Sequence, residues 1–313
     1  MDNRHPIPIV IAFDENYLMP ACVMLTSLFE NVDEGTEYRI VIFADQETQR
    51  NATPKINETL GLYGRHSVEW IDPADNFSSA KNRNHLTTPN YYRFLIPDFL
   101  KDCDKAVWLD VDMIVKRDLS ELFATDLEGM YLGAVRIGLK NAGIRHVPWD
   151  QYFNAGLLLM NLELWRKDDV AGQVRKLIAE NDFSCPTQDP MNLVGYQKTV
   201  FLPVAYNVYI SPKSMKGKKK REYLAFHDRT SFADLIADAA ILHFVENIKP
   251  WNDATYLERE EWLEYYRKSV FKNEPLIYLE RPSALRKWVI KTASMFILDK
   301  KKRHKFREKI WKR

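Results

Sequence analysis

The sequence predicts an α/β fold with a mainly parallel sheet, and three observations support this prediction. Short runs rich in Val and Ile alternate with longer helical patterns through the first 118 residues. These short runs are almost continuously apolar, as in strands that helices cover on both faces. Of all residues, 46% are hydrophobic and 28% are charged, which is ordinary for a globular protein with a core of normal size.

The elements of the first half follow a β-α-β-α-β order. The predicted strands are Ile7–Phe13, Tyr38–Asp45, His66–Ile71 and Lys105–Val115. Leu18–Val32 and Gln46–Leu62 have helical patterns and lie between the first three strands. This order predicts a Rossmann-like, nucleotide-binding half from about residue 7 to residue 118.

The second half is predicted to be mixed and to complete the same sheet. Its predicted strands are Met130–Arg136, Gly156–Leu162, Val200–Val208 and Ala239–Val245, and its predicted helices are Leu162–Asn181 and Pro190–Tyr196. The basic run KSMKGKKKR, Lys213–Arg221, is predicted to be a solvated loop.

Charge is distributed unevenly along the chain. Residues 281–313 contain 13 Lys and Arg against 2 Asp and Glu, a net +11 that leaves the rest of the chain at −9. Apolar residues in this segment fall on one side of a predicted helix, so we expect a basic amphipathic tail that lies on an anionic membrane surface. The alternative is a helix packed on the body with a solvated end. We divide the chain into a main domain, residues 1–265, and a basic tail, residues 266–313.

The cysteines and the hydropathy indicate a cytoplasmic protein. Cys22, Cys103 and Cys185 are odd in number and far apart, as expected of reduced thiols. No apolar run approaches the roughly 18 residues of a membrane span. We expect no nucleic-acid partner.

Two acids interrupt the apolar run KAVWLDVDMIV. In a strand, Asp110 and Asp112 would point to the same side and repel each other, and a divalent cation would resolve that repulsion. The alternative is an exposed strand end with two incidental acids. Metal-dependent nucleotide-sugar transferases and haloacid-dehalogenase phosphatases both place such a pair after a strand. The phosphatase pattern usually opens the chain and has Thr or Val where this sequence has Ile114.

A second stretch, ILHFVENIKPW, supplies groups that suit the transferase. His243 at the end of a predicted strand can complete the coordination of a metal, and Lys249 can neutralise a phosphate. Taken alone, these residues could equally be a core histidine and a surface lysine.

In six motifs the sequence resembles glycosyltransferase family 8, the retaining UDP-sugar transferases that include bacterial lipopolysaccharide galactosyl- and glucosyltransferases and glycogenin. The resemblance covers about residues 7–265 and implies a GT-A type fold. The motifs are AFDENY, TTPNYYRFLIPDFL, VWLDVDMIV, FNAGLLLMNLELWR, TQDPMN and HFVENIKPW, in that order.

The resemblance implies a role for each matching residue. Asp110, Asp112 and His243 match the metal ligands, and the histidine favours Mn²⁺ over Mg²⁺. The residues matched to nucleotide and diphosphate binding are Ala12, Asp14, Asn16, Tyr17, Val111 and Lys249. Those matched to the transferred sugar are Arg93, Asn154, Ala155, Gly156, Gln188 and Asp189.

The sequence departs from the family pattern at three places. Thr187 replaces a frequent Asp, which weakens a covalent glycosyl-enzyme mechanism and favours front-face transfer assisted by Gln188 and the leaving phosphate. Glu246 replaces a Gly near the expected diphosphate. In LGAVRIG, Arg136 and Ile137 stand where an acid is common, which leaves the donor sugar open.

The resemblance therefore predicts a metal-dependent, retaining hexosyltransferase. It would move galactose or glucose from a UDP-sugar to a hydroxyl of a cell-surface glycan or lipid-linked acceptor, at the inner face of a bacterial cytoplasmic membrane. Two alternatives stay open at this point: a phosphatase of the Asp-x-Asp type, and a catalytically inactive scaffold of the same fold at the membrane surface.

Overall fold

A computed structural model describes residues 6–64, 67–73, 88–212 and 215–278, together with Thr292. Within these ranges the chain forms one seven-stranded sheet, one three-stranded sheet and helices that pack around them. The strands are β1 (Ile7–Ala12), β2 (Tyr38–Phe43), β3 (Ser67–Ile71), β4 (Lys105–Leu109), β5 (Met113–Val115), β6 (Leu132–Ala134), β7 (Leu157–Asn161), β8 (Thr199–Phe201), β9 (Val208–Ile210) and β10 (Ile241–Phe244).

The helices cover the sheets and fill the connections between strands. They are α1 (Leu18–Glu30), α2 (Gln46–Gly61), α3 (Ile96–Phe99), α4 (Ser120–Ala124), α5 (Leu162–Lys167), α6 (Val170–Glu180), α7 (Gln188–Gly195), α8 (Gly217–Phe226), α9 (Phe232–Ala237) and α10 (Arg259–Tyr266). Short 3-10 turns occur at Glu15–Tyr17, Thr88–Phe94, Tyr196–Lys198 and Val204–Asn207.

The large sheet has the order β3-β2-β1-β4-β7-β6-β8. β1 pairs in parallel with β2 and β4, and β7 is antiparallel to both of its neighbours. Ile9 and Ile11 belong to one buried cluster and Val10 to another, because successive side chains of β1 point to opposite faces. Both faces are therefore covered, and the predicted mixed α/β fold is confirmed.

The structure corrects the predicted strand Lys105–Val115. This run contains two strands, β4 and β5, which belong to different sheets. Asp110 and Asp112 lie in the connection between them and not within a continuous strand. The two acids are therefore brought together by a turn, and the alternation of side chains along a strand does not explain their placement.

The sequence analysis predicted that the second half completes the same sheet, and the structure shows that this prediction is wrong for part of it. β6, β7 and β8 join the large sheet, whereas β5, β10 and β9 form a separate one in that order. The predicted strand Val200–Val208 divides into β8, a 3-10 turn and β9, which end up in different sheets. The Pro203 between them has no amide hydrogen to donate to a ladder, so a continuous strand is disfavoured there.

The C-terminal part of the basic run is helical instead of forming a loop. α8 begins at Gly217, so Gly217–Arg221 form its first turns. The body packs through Phe271, beyond the predicted domain boundary at residue 265. The predicted amphipathic helix over 281–313 lies outside the described residues, apart from Thr292. Among the helices in the described ranges, none is both long enough and apolar enough to cross a membrane.

Candidate active site

Two carboxylates and one imidazole converge beside the end of β4. β10 pairs antiparallel with β5 and sets His243 opposite Met113, next to the Asp110–Asp112 turn. His243 Nε2 lies 3.2 Å from an oxygen of Asp112 and 3.9 Å from an oxygen of Asp110. One ligand atom from each of the three residues lies within 4.8 Å of the other two. Two carboxylates and an imidazole suit a divalent cation such as Mn²⁺.

Gly156 makes room for this cluster. The Asp110 amide donates to the Gly156 carbonyl over 2.8 Å, which places the glycine directly beside the turn. A Cβ atom added to Gly156 would stand 2.3 Å from Cε1 of His243 and 2.9 Å from Oδ2 of Asp110. A side chain at position 156 would thus displace the imidazole. The glycine expected beside the transferred sugar has this steric role at the His243 ring.

A chain of hydrogen bonds fixes which ring nitrogen of His243 faces the carboxylates. The Gly156 amide donates to Oδ1 of Asn154 over 2.9 Å, so that oxygen is an acceptor. The same oxygen accepts from Nδ2 of Asn207, and Oδ1 of Asn207 therefore lies 3.1 Å from Nδ1 of His243. Nδ1 donates to Asn207 in this arrangement, so Nε2 is the ring nitrogen that faces the aspartates.

Asp110 is held from behind by Arg93 and Trp108. Arg93 donates to Oδ1 of Asp110 over 3.1 Å and to the carbonyls of Asn90 and Ala155. Nε1 of Trp108 donates to the same Asp110 oxygen over 2.9 Å, and the Arg93 guanidinium lies over the Trp108 ring. Burial lowers the pKa of Arg93, and the neighbouring aspartates act in the opposite direction. Arg93 therefore supports a candidate metal ligand from the protein side.

Lys249 is buried against the second aspartate. Its ammonium group lies 2.5 Å from Oδ2 of Asp112 and donates to the Phe244 carbonyl over 2.8 Å. Burial raises the pKa of Asp112, but the charges and hydrogen bonds of Lys249 and His243 outweigh it and lower the pKa overall. Asp112 is consequently held as a carboxylate, ready to accept a cation.

A cavity of about 100 Å³ opens on the β1 side of the carboxylates. Its lining residues come from three segments of the chain and are Ala12, Phe13, Asp14, Tyr17, Pro89, Asn90, Trp108, Asp110, Val111 and Asp112. Tyr17 packs edge-on against Trp251, with ring centroids 5.9 Å apart. Asn16 is exposed, its backbone amide donates to the Asp14 carboxylate over 3.0 Å, and it does not belong to the residues that line this cavity.

A second cavity of about 360 Å³ lies beyond Gln188 and Asp189, the first residues of α7. Oε1 of Gln188 accepts from Nδ2 of Asn154 and from the Ala155 amide, both over 3.1 Å. Asp189 is buried, and its two oxygens accept from the Tyr152 hydroxyl and the Cys185 amide. The sugar-site candidates are thus connected to the His243 cluster by hydrogen bonds.

The structure shows the surroundings of two departures from the family pattern, Glu246 and Arg136. Glu246 has a φ of 77°, a left-handed conformation that favours glycine, and its carboxylate accepts from the Ser211 hydroxyl. Arg136 lies between the rings of Phe201 and Phe226, where its charge interacts with aromatic faces.

Sequence reasoning missed three residues that shape this site. Asn207 orients His243, Tyr152 links Gln188 to Asp189, and Trp108 supports Asp110. Trp108 adjoins the Asp-x-Asp triplet, and its position there was a usable signal. Asn207 and Tyr152 had no such signal, because their roles depend on contacts with distant parts of the chain.

Comparison with known proteins identifies the family. The model of the family described as Glycosyl transferase family 8 matches residues 8–255. The chain belongs to this family. It is a glycosyltransferase, and the phosphatase alternative loses its basis.

Several individual proteins are similar to this chain over most of its length. General stress protein A of Bacillus subtilis is 26% identical over 275 residues, covering 82% of this chain and 92% of that protein. Lipopolysaccharide 1,2-glucosyltransferase of Escherichia coli is 26% identical over 288 residues, covering 88% and 82%. The galactosyltransferase LgtC, solved with donor and acceptor sugar analogs, superimposes with a TM-score of 0.63 at 22% identity, covering 90% and 99%. That likeness supports the GT-A type fold.

Proposed function

We propose that this glycosyltransferase moves a hexose from a UDP-sugar to an acceptor hydroxyl, with retention at the anomeric carbon and with a divalent metal ion. The observation that carries the proposal is the convergence of Asp110, Asp112, His243 and Lys249 beside the cavity at the end of β1. The two acids and the imidazole suit a divalent metal ion, and the buried ammonium group suits the diphosphate that such an ion would accompany.

The cavity beside β1 is proposed to take the uridine. Asp14 accepts a hydrogen bond from the uracil N–H, and the Tyr17 ring provides an apolar face for the base. Ala12 and Val111 allow close approach of the ribose, because both side chains are small and buried. Asn16 is proposed to contact the nucleotide beside Asp14, to whose carboxylate its backbone amide donates.

The residues around the carboxylates fit a divalent cation. Asp110, Asp112 and His243 would hold it, Arg93 keeps Asp110 in place, and Asn207 keeps Nε2 of His243 free to bind. A cation bound there supplies positive charge against the leaving diphosphate. Lys249 adds a second positive charge from the protein, since its buried ammonium group can exchange Asp112 for a phosphate oxygen.

In the transfer step the bond between the anomeric carbon and the β-phosphate oxygen breaks, and the acceptor oxygen forms a bond to the same face of that carbon. The acceptor hydroxyl proton passes to the departing phosphate oxygen, which leaves as UDP. Gln188 and Asn154 position the sugar. Asp189 acts as a positioning residue, because both of its oxygens already accept hydrogen bonds from Tyr152 and Cys185.

Galactose and glucose are both proposed as the donor sugar, with a cell-surface glycan or lipid-linked acceptor. The similarity to the E. coli lipopolysaccharide 1,2-glucosyltransferase supports glucose and a lipopolysaccharide-like acceptor. We also propose that the basic segment 281–313 holds the enzyme at the anionic inner face of a bacterial membrane, on the strength of its net charge of +11.

The test is a screen for release of UDP from UDP-galactose and UDP-glucose with Mn²⁺. We expect wild-type turnover, and a loss of at least about a hundredfold in the Asp110→Ala/Asp112→Ala double variant, since removal of one stabilising group at a site of this kind costs about that much. The matched control is Asp126→Ala/Glu128→Ala, which removes two exposed acids with the same spacing. Full metal-dependent turnover in the Asp110→Ala/Asp112→Ala variant would overturn the assignment.

Calorimetric titration with UDP and Mn²⁺ separates the transferase from an inactive scaffold. Metal-dependent binding of UDP is expected of the transferase, whereas no binding would favour the scaffold.

A further inference from the structure

The larger cavity beyond α7 contains a positive charge that the catalytic site does not use. Its lining includes Gln188 and Asp189 of α7, Tyr209 of β9 and Lys219 of α8. The Tyr209 ring meets the His243 ring edge-on, with centroids 6.3 Å apart, so the cavity adjoins the candidate metal ligands. A volume of about 360 Å³ is that of a ligand site and not of a packing defect.

Lys219 is half-buried and unpaired within the described part of the chain. No hydrogen bond or ion pair involves its ammonium group there. Its neighbours on α8 are engaged elsewhere: Lys218 pairs with Glu222 at 3.7 Å, and the Lys220 ammonium lies over the Phe232 ring. The other charged group among the described lining residues, Asp189, already accepts two hydrogen bonds.

The position of Lys219 is fixed by the packing of α8. The Tyr223 hydroxyl accepts from the Tyr209 amide over 3.0 Å, which ties the helix to β9. Phe226 contacts Trp149, with centroids 5.5 Å apart, and so ties the same helix to the loop that forms another wall of the cavity. Lys219 therefore lies on a helix that is packed against β9 and against the loop containing Trp149.

The local sequence is unfavourable for a helix start, which needs an explanation. α8 begins at Gly217. Lys218, Lys219 and Lys220 follow in its first turn, and Lys216 at the cap position provides no side-chain hydrogen bond. Cations near a helix N-terminus oppose the helix dipole and therefore destabilise the start of the helix. These lysines are unfavourable for the helix and lie next to a cavity, which suggests that their charges have a function.

We propose that this cavity binds an acceptor that carries an anionic group, a phosphate or a carboxylate, and that Lys219 pairs with that group. The inference rests on the proposed transferase function and adds the chemical class of the acceptor. An anion there would pair the ammonium of Lys219 and would also offset the accumulated positive charge at the start of α8.

The experiment measures acceptor binding by calorimetry on the full chain saturated with UDP and Mn²⁺, so that the diphosphate site is filled. Two matched pairs of probes are used: glucose with glucose 6-phosphate, and glucose with glucuronate. We expect at least one anionic probe to bind about tenfold more tightly than glucose, as one charge-assisted hydrogen bond provides. Tighter binding of glucose 6-phosphate than of glucose identifies phosphate as the group recognised. Tighter binding of glucuronate than of glucose identifies carboxylate.

Lys219→Ala is expected to remove that preference and leave glucose binding as it was, and Lys219→Arg is expected to retain it. Lys218→Ala is the control, because it removes an exposed charge of the same helix outside the cavity lining. Equal binding of glucose and both anionic probes by the wild type would overturn the proposal, as would an unchanged preference in Lys219→Ala. Failure of the transferase proposal itself is distinct, since it would appear earlier as an absence of UDP and Mn²⁺ binding.

Discussion

At the scale of single residues, the candidate metal cluster depends on Gly156, which has no side chain, as much as on the three ligand residues. Gly156→Ala would place a methyl group against the His243 ring and Oδ2 of Asp110, at distances that real structures essentially never show. We expect Mn²⁺ affinity to fall by about tenfold or more, as when the support of a ligand is disturbed. Titration of Mn²⁺ in the presence of UDP measures this change.

Gly195→Ala provides the control for that experiment. The nearest atom to an added Cβ at Gly195 is 3.6 Å away, which is ordinary contact. Unchanged Mn²⁺ affinity in Gly156→Ala would mean that His243 is not a ligand, or that it can move without consequence.

Another single residue, His227, predicts how stability responds to acid. Burial lowers its pKa to about 4, with Arg136 adding to the effect, and its Nε2 has no hydrogen-bond partner in the described structure. Because the folded pKa lies below the unfolded value, the unfolded chain binds more protons, and this stability is lost as pH falls from about 6.5 to 4. The free energy of unfolding, measured with denaturant, should be lower at pH 4.5 than at pH 7.5, and His227 should account for about 2–3 kcal/mol of that difference.

In His227→Phe the difference in unfolding free energy between pH 7.5 and pH 4.5 should be smaller than in the wild type by that amount, because the variant has no imidazole at this position to protonate. His146→Phe, which changes an exposed histidine, serves as the comparison. A pH dependence of His227→Phe equal to that of the wild type would contradict the prediction.

At the scale of elements, sequence patterns identified strands well but assigned some of them to the wrong sheet. β1 and β2 were predictable, because continuous apolar runs in a parallel sheet have few alternatives. Lys105–Val115 is equally apolar, but only the pairing of β5 with β10 shows that the chain changes sheets at Asp110. The choice of partner depends on a segment more than 120 residues away in the sequence, which local hydrophobicity does not encode.

The start of α8 offers a stability test at this scale. Lys216 has extended backbone angles, as an N-cap residue should, but its side chain cannot accept from the helix amides. Lys216→Ser should therefore raise the free energy of unfolding by about 1 kcal/mol, as measured by denaturant unfolding. Lys218→Ser removes the same charge at a position inside the helix, and a gain as large as that of Lys216→Ser would show that charge, and not capping, is responsible.

At the scale of the whole molecule, the sequence indicated which residues come together in the candidate site but not how they are held. Asp110, Asp112, His243 and Lys249 are brought together as the motifs suggested. The hydrogen-bonded chain from Gly156 through Asn154 and Asn207 to His243 joins segments that are distant in sequence. Such a chain needs coordinates, because each member is an ordinary polar residue until its partner is known.

The charge of the whole molecule is divided between an acidic body and a basic tail, and this division leads to the last prediction. Deleting residues 281–313 removes a net +11 and leaves the remainder at −9, so an attraction to anionic lipid should become a repulsion. Co-sedimentation with vesicles that contain phosphatidylglycerol should show binding by the full chain and none by the truncated chain. Because the candidate site lies within the described body, soluble release of UDP should persist after truncation. Equal vesicle binding by both chains would refute the proposed role of the tail, and binding of the full chain to neutral phosphatidylcholine vesicles would show that charge is not the cause.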